Sequence, residues 1–486
     1  MSAAFASREA EPEEEAQPDP RRWAALALVC FGALMIVLDG TIVNIALPSI
    51  QRDLGFSQAG LAWVVNAYIL TFGGFLLLAG RAADLIGRRA VFVAGLAIFT
   101  AASLACGFAS SQGMLVAARA VQGIGGAIVQ AVALSLILDL FQGTSERAKA
   151  MSVWGFVASA GGAVGVVLGG ALTQAGDWHL IFLLNVPIGL LAIALARPLL
   201  RPARGLGLGE GIDIGGAITI TAAPILAVYG ILSASESGWG SPQVIVCLGL
   251  AVVVLGVFVA IERRASNPIV PLHIFRSPAV SISNVVIVFL MVAFFGWFFF
   301  SPLYMQRVLG FDALQTGLGF LPASVMFGAM SLGIAAKVVG WLGPKRALLI
   351  GMSFATVGLA LLARAPVAGS YIVDLAPAMM LIAVGGGLAF LPLILIATDD
   401  ARPQDSGLIS GLVSTSQMVG GAIGLAVLVT VASARTAGIA GAGTAQPAAL
   451  LEGYHLAFLC GAALTSIGLA LATRLPPTVQ RQPTAH

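Results

Sequence analysis

Residues 23–47 read WAALALVCFGALMIVLDGTIVNIAL, twenty-five residues with one charged side chain, Asp39. A helix that crosses a bilayer needs about 20 mostly apolar residues, so this stretch is long enough to span. The pattern recurs along the whole chain. Of 486 residues, 58% are hydrophobic and only 10% charged, and the mean hydropathy is +0.97. A water-soluble domain is about 45–50% apolar and about 25% charged. Surface of this kind cannot all be buried in an aqueous core, so lipid is its solvent.

Read by length and apolarity, the chain divides into fourteen spans. They are 23–47, 61–79, 91–109, 114–138, 148–172, 180–199, 212–232, 244–261, 280–304, 314–336, 347–363, 372–398, 407–431 and 454–472. Basic residues test the count. With the N-terminus inside, 20 of the 25 lysines and arginines fall on the inner side and 4 on the outer, and Arg119 remains within a span. Cytoplasmic loops carry the excess of positive charge, so this bias implies an even count with both termini cytoplasmic. The segment 1–22 is acidic and reads as a disordered cytoplasmic tail.

The chain also resembles itself. Gly161-Gly162-Ala163-Val164-Gly165 recurs as Gly420-Gly421-Ala422-Ile423-Gly424, Gly125-Gly126 as Gly385-Gly386, and Gly87-Arg88-Arg89-Ala90 as Gly343-Pro344-Lys345-Arg346-Ala347. The offset is nearly constant and equals eight spans. That divides the chain into a six-helix bundle (23–200), a two-helix insert (201–265), a second six-helix bundle (266–474) and a short cytoplasmic tail (475–486). In such repeats the substrate site lies at the interface of the halves near the midplane.

Charge within hydrocarbon is costly and marks function. Two residues stand out away from the span ends, Asp39 and Arg119. Seventeen residues separate Arg22 from Asp39, roughly 25 Å of helix at about 1.5 Å per residue, in a core about 30 Å thick. Arg119 lies near the outer start of the fourth span, so the two levels match. Burial favours the neutral acid and a nearby arginine favours the carboxylate, which makes Asp39 a candidate to take up and release protons. A static Asp39–Arg119 pair and two unrelated residues are the alternatives.

At this point the residues resemble a known family. Leu38-Asp39-Gly40-Thr41-Ile42-Val43-Asn44-Ile45-Ala46-Leu47-Pro48 is similar to the first-span signature of the fourteen-span drug:proton antiporters of the major facilitator superfamily. Gly80-Arg81-Ala82-Ala83-Asp84-Leu85-Ile86-Gly87-Arg88-Arg89 resembles the superfamily's loop motif between spans two and three. Arg119-Ala120-Val121-Gln122-Gly123-Ile124-Gly125-Gly126-Ala127 resembles its fourth-span motif, and Asp177-Trp178 through Gly189 its sixth-span entry. The resemblance implies an all-α membrane fold with proton coupling at Asp39 and Arg119. It implies a cytoplasmic latch at Gly80, Asp84, Gly87, Arg88 and Arg89. Two departures stand out. Gly162 and Val166 occupy places where the family's antiporter motif has prolines, and His179 stands where arginine is usual. Gly161, Gly165, Gly169 and Gly170 survive and read as close helix packing. Loss of the proline kinks weakens the argument for export as the direction.

Candidate cavity residues are the polar side chains within spans, Asn44, Asn66, Tyr68, Gln122, Gln130, Asn284 and Gln417, with Asn185 as a further intramembrane amide. The run Phe294-Phe295-Gly296-Trp297-Phe298-Phe299-Phe300 adds Phe295, Phe298 and Phe299 as a stacking face, and part of the run is expected to face lipid. Asp39 is the one embedded acid, so the expected cargo is neutral, monocationic or zwitterionic amphipathic molecules. Four cysteines (30, 106, 247, 460) lie singly in apolar runs and four histidines show no ligand spacing, so no metal site is expected. No GxxxxGK[ST] loop occurs, so the proton gradient, without a cofactor, is the expected energy source. A net charge of +3 and scattered basic residues give no argument for nucleic acid, and no nucleic-acid partner is expected. A monomeric transporter in a bacterial cytoplasmic membrane is expected rather than an enzyme. A metabolite exporter or importer is the alternative.

Overall fold

The structure is a computed structural model that describes residues 21–141, 144–201, 205, 207, 213–265, 268–399, 406–441 and 445–476. Nearly all of the acidic tail and most of the C-terminal tail lie outside the described residues. Among the described residues, fourteen helices are long and apolar enough to cross a membrane. They are α1 (Arg22–Leu54), α2 (Gln58–Ile86), α3 (Arg88–Cys106), α4 (Gln112–Leu140), α5 (Thr144–Gln174), α6 (Leu180–Leu199), α7 (Ile214–Ser237), α8 (Pro242–Arg264), α9 (Pro278–Arg307), α10 (Ala313–Leu342), α11 (Pro344–Leu362), α12 (Tyr371–Thr398), α13 (Ser406–Gly441) and α14 (Gln446–Ala472).

Several helices outrun the apolar stretches that announce them. Helix α1 continues through Arg52 and Asp53 and stops at Gly55, whose φ of 67° is the left-handed conformation that glycine adopts without strain. At the start of α2, the Ser57 hydroxyl accepts the amide of Gly60, and a capping box of Asp312 and Gln315 opens α10.

Helices α1–α6 form one bundle and α9–α14 a second, and the glycine repeat performs the same packing in both. Helix α5 lays Gly161, Gly165 and Gly169 in one row against α1. Added Cβ atoms there would meet Leu34, Thr41 and Leu38, and the Ile42 backbone, respectively. Helix α13 lays Gly420, Gly421 and Gly424 against Val288, Phe295 and Val292 of α9. Gly125 abuts the Phe99 backbone where α4 crosses α3, and Gly385 abuts Gly351 and Ala355 where α12 crosses α11. Gly87 and Gly343, which open α3 and α11, both carry positive φ (114° and 82°). Equivalent turns thus need the same residue in each half.

The halves meet where α2 packs on α13 and α5 on α10. Thr415 donates to the Gly73 carbonyl at 3.2 Å, the Leu314 amide to Gln174 Oε1 at 3.2 Å, and Gln306 Nε2 to the Ile45 carbonyl at 2.9 Å. A Cβ on Gly170 would lie 2.6 Å from the Ala313 carbonyl of α10. Helix α7 wedges against both halves: Glu236 accepts from Ser57 of α2, and the Ile231 carbonyl from Thr430 of α13. Helix α8 packs on α7 and otherwise presents apolar residues outward.

The aromatic run departs from expectation. Phe294–Phe300 has no exposed member, because α10, α12, α13 and α14 pack against α9 there. Phe294 sits centrally, its ring centroid 5.6–5.8 Å from those of Trp297, Phe327 and Phe390.

Close approach makes a paired prediction. Gly169→Val should lower stability by about 1–3 kcal/mol, the usual cost of overpacking. Gly162→Val, whose Cβ meets nothing within 4 Å, should change it by less than about 0.5 kcal/mol. Thermal unfolding midpoints in one detergent check both.

Candidate functional site: a buried ion pair within the first bundle

Helix α1 carries Asp39 into the interior with no exposed surface, and α4 brings Arg119 to it, 2% exposed. Arg119 Nη1 donates to Asp39 Oδ2 at 2.5 Å and to Gln122 Oε1 at 2.6 Å, and its Nε donates to the Val64 carbonyl of α2 at 2.9 Å. The other carboxylate oxygen, Oδ1, accepts Gln122 Nε2 at 2.8 Å and Asn185 Nδ2 of α6 at 3.2 Å. Gln122 also donates to Ser103 Oγ of α3 at 2.7 Å. The guanidinium lies over the Tyr68 ring, 4.3 Å from its centroid, and 5.7 Å from that of Phe182. Five of the six helices in this bundle therefore contribute to one network around the Asp39–Arg119 pair.

A buried pair of this kind persists only when further hydrogen bonds fill the remaining lone pairs and N–H groups. Gln122 fills that role on both partners at once. It follows Arg119 by three residues, so one helical face presents both. Gln122, expected in the substrate cavity, is thus a member of the charge network. Sequence reasoning also missed Ser103, and noted Asn185 without assigning it. Cys106, one of the cysteines that lie singly in apolar runs, has its Sγ 3.8 Å from Gln122 Oε1.

The residues expected to form a latch gather at one end of α2, α3 and α4. Arg88 pairs with Asp84 at 3.7 Å and with Asp139 of α4. Arg89 donates to the Leu200 carbonyl at 3.2 Å. The Gly87 amide caps α2 at the Ala83 carbonyl, and Gly80 has open space beside it. Asp139 lies one residue beyond the apolar run of its span, which is why the sequence did not single it out.

The remaining cavity candidates are dispersed. Asn66 is fully buried and its amide has no hydrogen-bond partner, as is true of the Tyr68 hydroxyl. Asn44 donates to Gly40 of its own helix. Asn284 donates to Val280 and accepts from Ser416 of α13 at 2.7 Å. Gln130 and Gln417 are half-buried. Phe295 packs on Gly421, Phe298 stacks on Phe320 (5.9 Å between centroids), and Phe299 is wholly buried edge-on to Phe300. A cavity of about 430 Å³ opens elsewhere, between the ends of α1, α5, α9 and α10. Arg52, Gln174, Gln306, Arg307 and Phe311 line it. Near that end His179 stacks on Trp178, with its ring against Asp177 and the Ala109 carbonyl. Desolvation pushes the Asp177 carboxyl up, but hydrogen bonds from the His179 amide and ring outweigh it and bring it below its ordinary range.

With this geometry in view, the chain can be set beside known proteins. The profile of the Major Facilitator Superfamily matches residues 29–425. The chain is 38% identical over 461 residues to the puromycin resistance protein pur8 of Streptomyces alboniger, covering 93% of this chain and 91% of that one. It is 36% identical to the cephamycin export protein CmcT of Amycolatopsis lactamdurans, covering 94% and 93%. Its fold is similar to that of a bacterial homolog of the human lysosomal transporter Spinster in an inward-facing, occupied conformation. That likeness has a TM-score of 0.68 at 15% identity and covers 94% of this chain and 98% of that one. Fourteen spans, a duplicated bundle and matches along nearly the whole sequence agree: the chain is a multi-pass membrane transporter that belongs to the Major Facilitator Superfamily.

Proposed function

We propose that this chain exports small amphipathic compounds, antibiotics among them, in exchange for protons, with Asp39 as the proton carrier. The observation that carries the reading is the buried carboxylate whose two oxygens are held by Arg119, Gln122 and Asn185. Protonation of Oδ2 removes the charge that holds Arg119. The freed guanidinium keeps its contacts with the Val64 carbonyl, Gln122 Oε1 and the Tyr68 ring, so it need not become an orphaned buried cation. Relatives named for puromycin resistance and cephamycin export support outward transport of such compounds.

Helix α1 links this chemistry to the gap between the halves. Beyond Asp39 it presents the Ile45 carbonyl to Gln306 of α9, then Pro48, Ser49 and Arg52 to the 430 Å³ cavity. A shift of α1 on α4 when the pair breaks therefore moves one wall of that cavity. Cavities of about 300–1,000 Å³ suit drug-sized ligands, and we assign this one to the outward exit path. Asp39 is already matched by Arg119, so the cargo is neutral, monocationic or zwitterionic.

The protein works as a monomer in a bacterial cytoplasmic membrane, termini inside, without a cofactor. One charge crossing 100 mV supplies about 2.3 kcal/mol. That sustains roughly a fifty-fold gradient of a neutral substrate at about 1.4 kcal/mol per tenfold.

Asp39→Asn keeps the size and removes the ionisable group. In proteoliposomes it should reduce pH-gradient-driven export of puromycin to the rate of protein-free vesicles while substrate counterflow persists. Export at the wild-type rate would remove Asp39 from the coupling step. Arg119→Met leaves the carboxylate buried and unpaired and should cost about 3–5 kcal/mol. Adding Asp39→Asn to it should recover most of that loss, as read from thermal midpoints near neutral pH.

A further inference from the structure

Two acids, Glu262 buried and Asp213 half-buried, lie far from Asp39 in the chain, at the base of the two-helix insert. Asp213 caps α7, its Oδ1 accepting the Gly216 amide at 2.7 Å. Glu262, in the last turn of α8, is 4% exposed, and its Oε2 accepts the Val270 amide at 3.1 Å from the connection that leads to α9. The two remaining oxygens, Asp213 Oδ2 and Glu262 Oε1, are buried and have no hydrogen-bond partner among the described residues. Both adjoin the same glycine. A Cβ built on Gly216 would sit 2.6 Å from the first and 2.8 Å from the second, so both flank the bare backbone of that glycine.

We propose that Asp213 and Glu262 form a proton-binding site, the two carboxyl groups sharing one proton and clasping the α8–α9 connection to the insert. A proton between Oδ2 and Oε1 gives each orphaned oxygen a partner. Without it, two like charges stand close together away from water, an arrangement that acids avoid by holding one proton in common. Arg263 and Arg264 beside Glu262 are exposed, as are His273 and Arg276 on the connection. Among the described residues, α7 contributes Asp213, α8 contributes Glu262, and the connection contributes the amides of Ile269 and Val270. A calcium ion would ask for about 6–8 oxygen ligands, whereas a proton needs only the two present.

The site has a mechanical consequence. With the proton bound, Glu262 holds Val270 and through it the start of the second bundle. Once the proton leaves, repulsion drives the carboxylates apart and the connection loosens. The clasp does not depend on Asp39 carrying the transported proton, and its test reads no transport.

The experiment is hydrogen–deuterium exchange of the full chain in lipid nanodiscs from about pH 5 to about pH 9, corrected for the intrinsic exchange rate. Protection of residues 268–277 should fall as pH rises, by up to about tenfold per pH unit, the limit for a one-proton linkage. Glu262→Gln should abolish that slope, because the amide still accepts from Val270 and donates toward Asp213 at every pH. Asp213→Asn should abolish it likewise. Both variants should keep the wild-type thermal midpoint at the acidic end. A flat wild-type profile, or a slope that survives both variants, overturns the proposal. A profile set by sodium concentration rather than by pH would assign the oxygens to a metal cation and overturn it equally.

Discussion

Everything in the first bundle is arranged around one constraint: a carboxylate and a guanidinium that share no surface with water must satisfy each other completely. Asp39 and Arg119 do so with help from a carbonyl of α2 on Arg119, an amide of α6 on Asp39, and Gln122, itself held by Ser103 of α3. The helices must approach closely for those atoms to reach. Where α4 crosses α2 and α3, glycines stand at the crossing: a Cβ on Gly123 would strike the Tyr68 carbonyl, and one on Gly125 the Phe99 backbone. The small residues and the polar cluster are two aspects of one packing solution.

The second bundle has the same framework and a different filling. Where Gly126 borders Tyr68 and Phe72 beside the ion pair, Gly386 borders the Phe294 ring at the centre of an aromatic cluster. Duplication explains the common backbone, since corresponding glycines serve corresponding crossings. Divergence of the side chains puts a buried ion pair in one half and an aromatic cluster in the other.

Much of this was legible in the sequence because lipid is a demanding solvent. A charged residue in a long apolar run has few places to be, so Asp39 and Arg119 announced themselves, and fourteen apolar runs could hardly fold otherwise. Neutral amides carry no such signal. Gln122, Asn66 and Asn284 look alike in sequence, yet one completes the ion pair, one has no partner and one binds its own helix. Their roles depend on which face of a helix meets which neighbour. Charges at the ends of spans are equally silent, being ordinary there. Asp139, Asp213 and Glu262 gain meaning only when the fold sets them beside Arg88 or beside each other. The aromatic run misled for the opposite reason. A stretch packed among several helices tolerates apolar residues all round, and nothing in Phe294–Phe300 distinguishes lipid from protein as the surrounding medium.

Exchange of cargo for protons through Asp39, as proposed, requires that its carboxyl give up a proton when cargo binds. Infrared difference spectroscopy of the purified protein, recorded on adding puromycin, reads that change directly through the carboxylic acid stretch. The account predicts that a protonated-carboxyl band is lost as substrate binds and that this band is absent from Asp39→Asn. A difference spectrum with no carboxyl band, or with a band unchanged in Asp39→Asn, would contradict it.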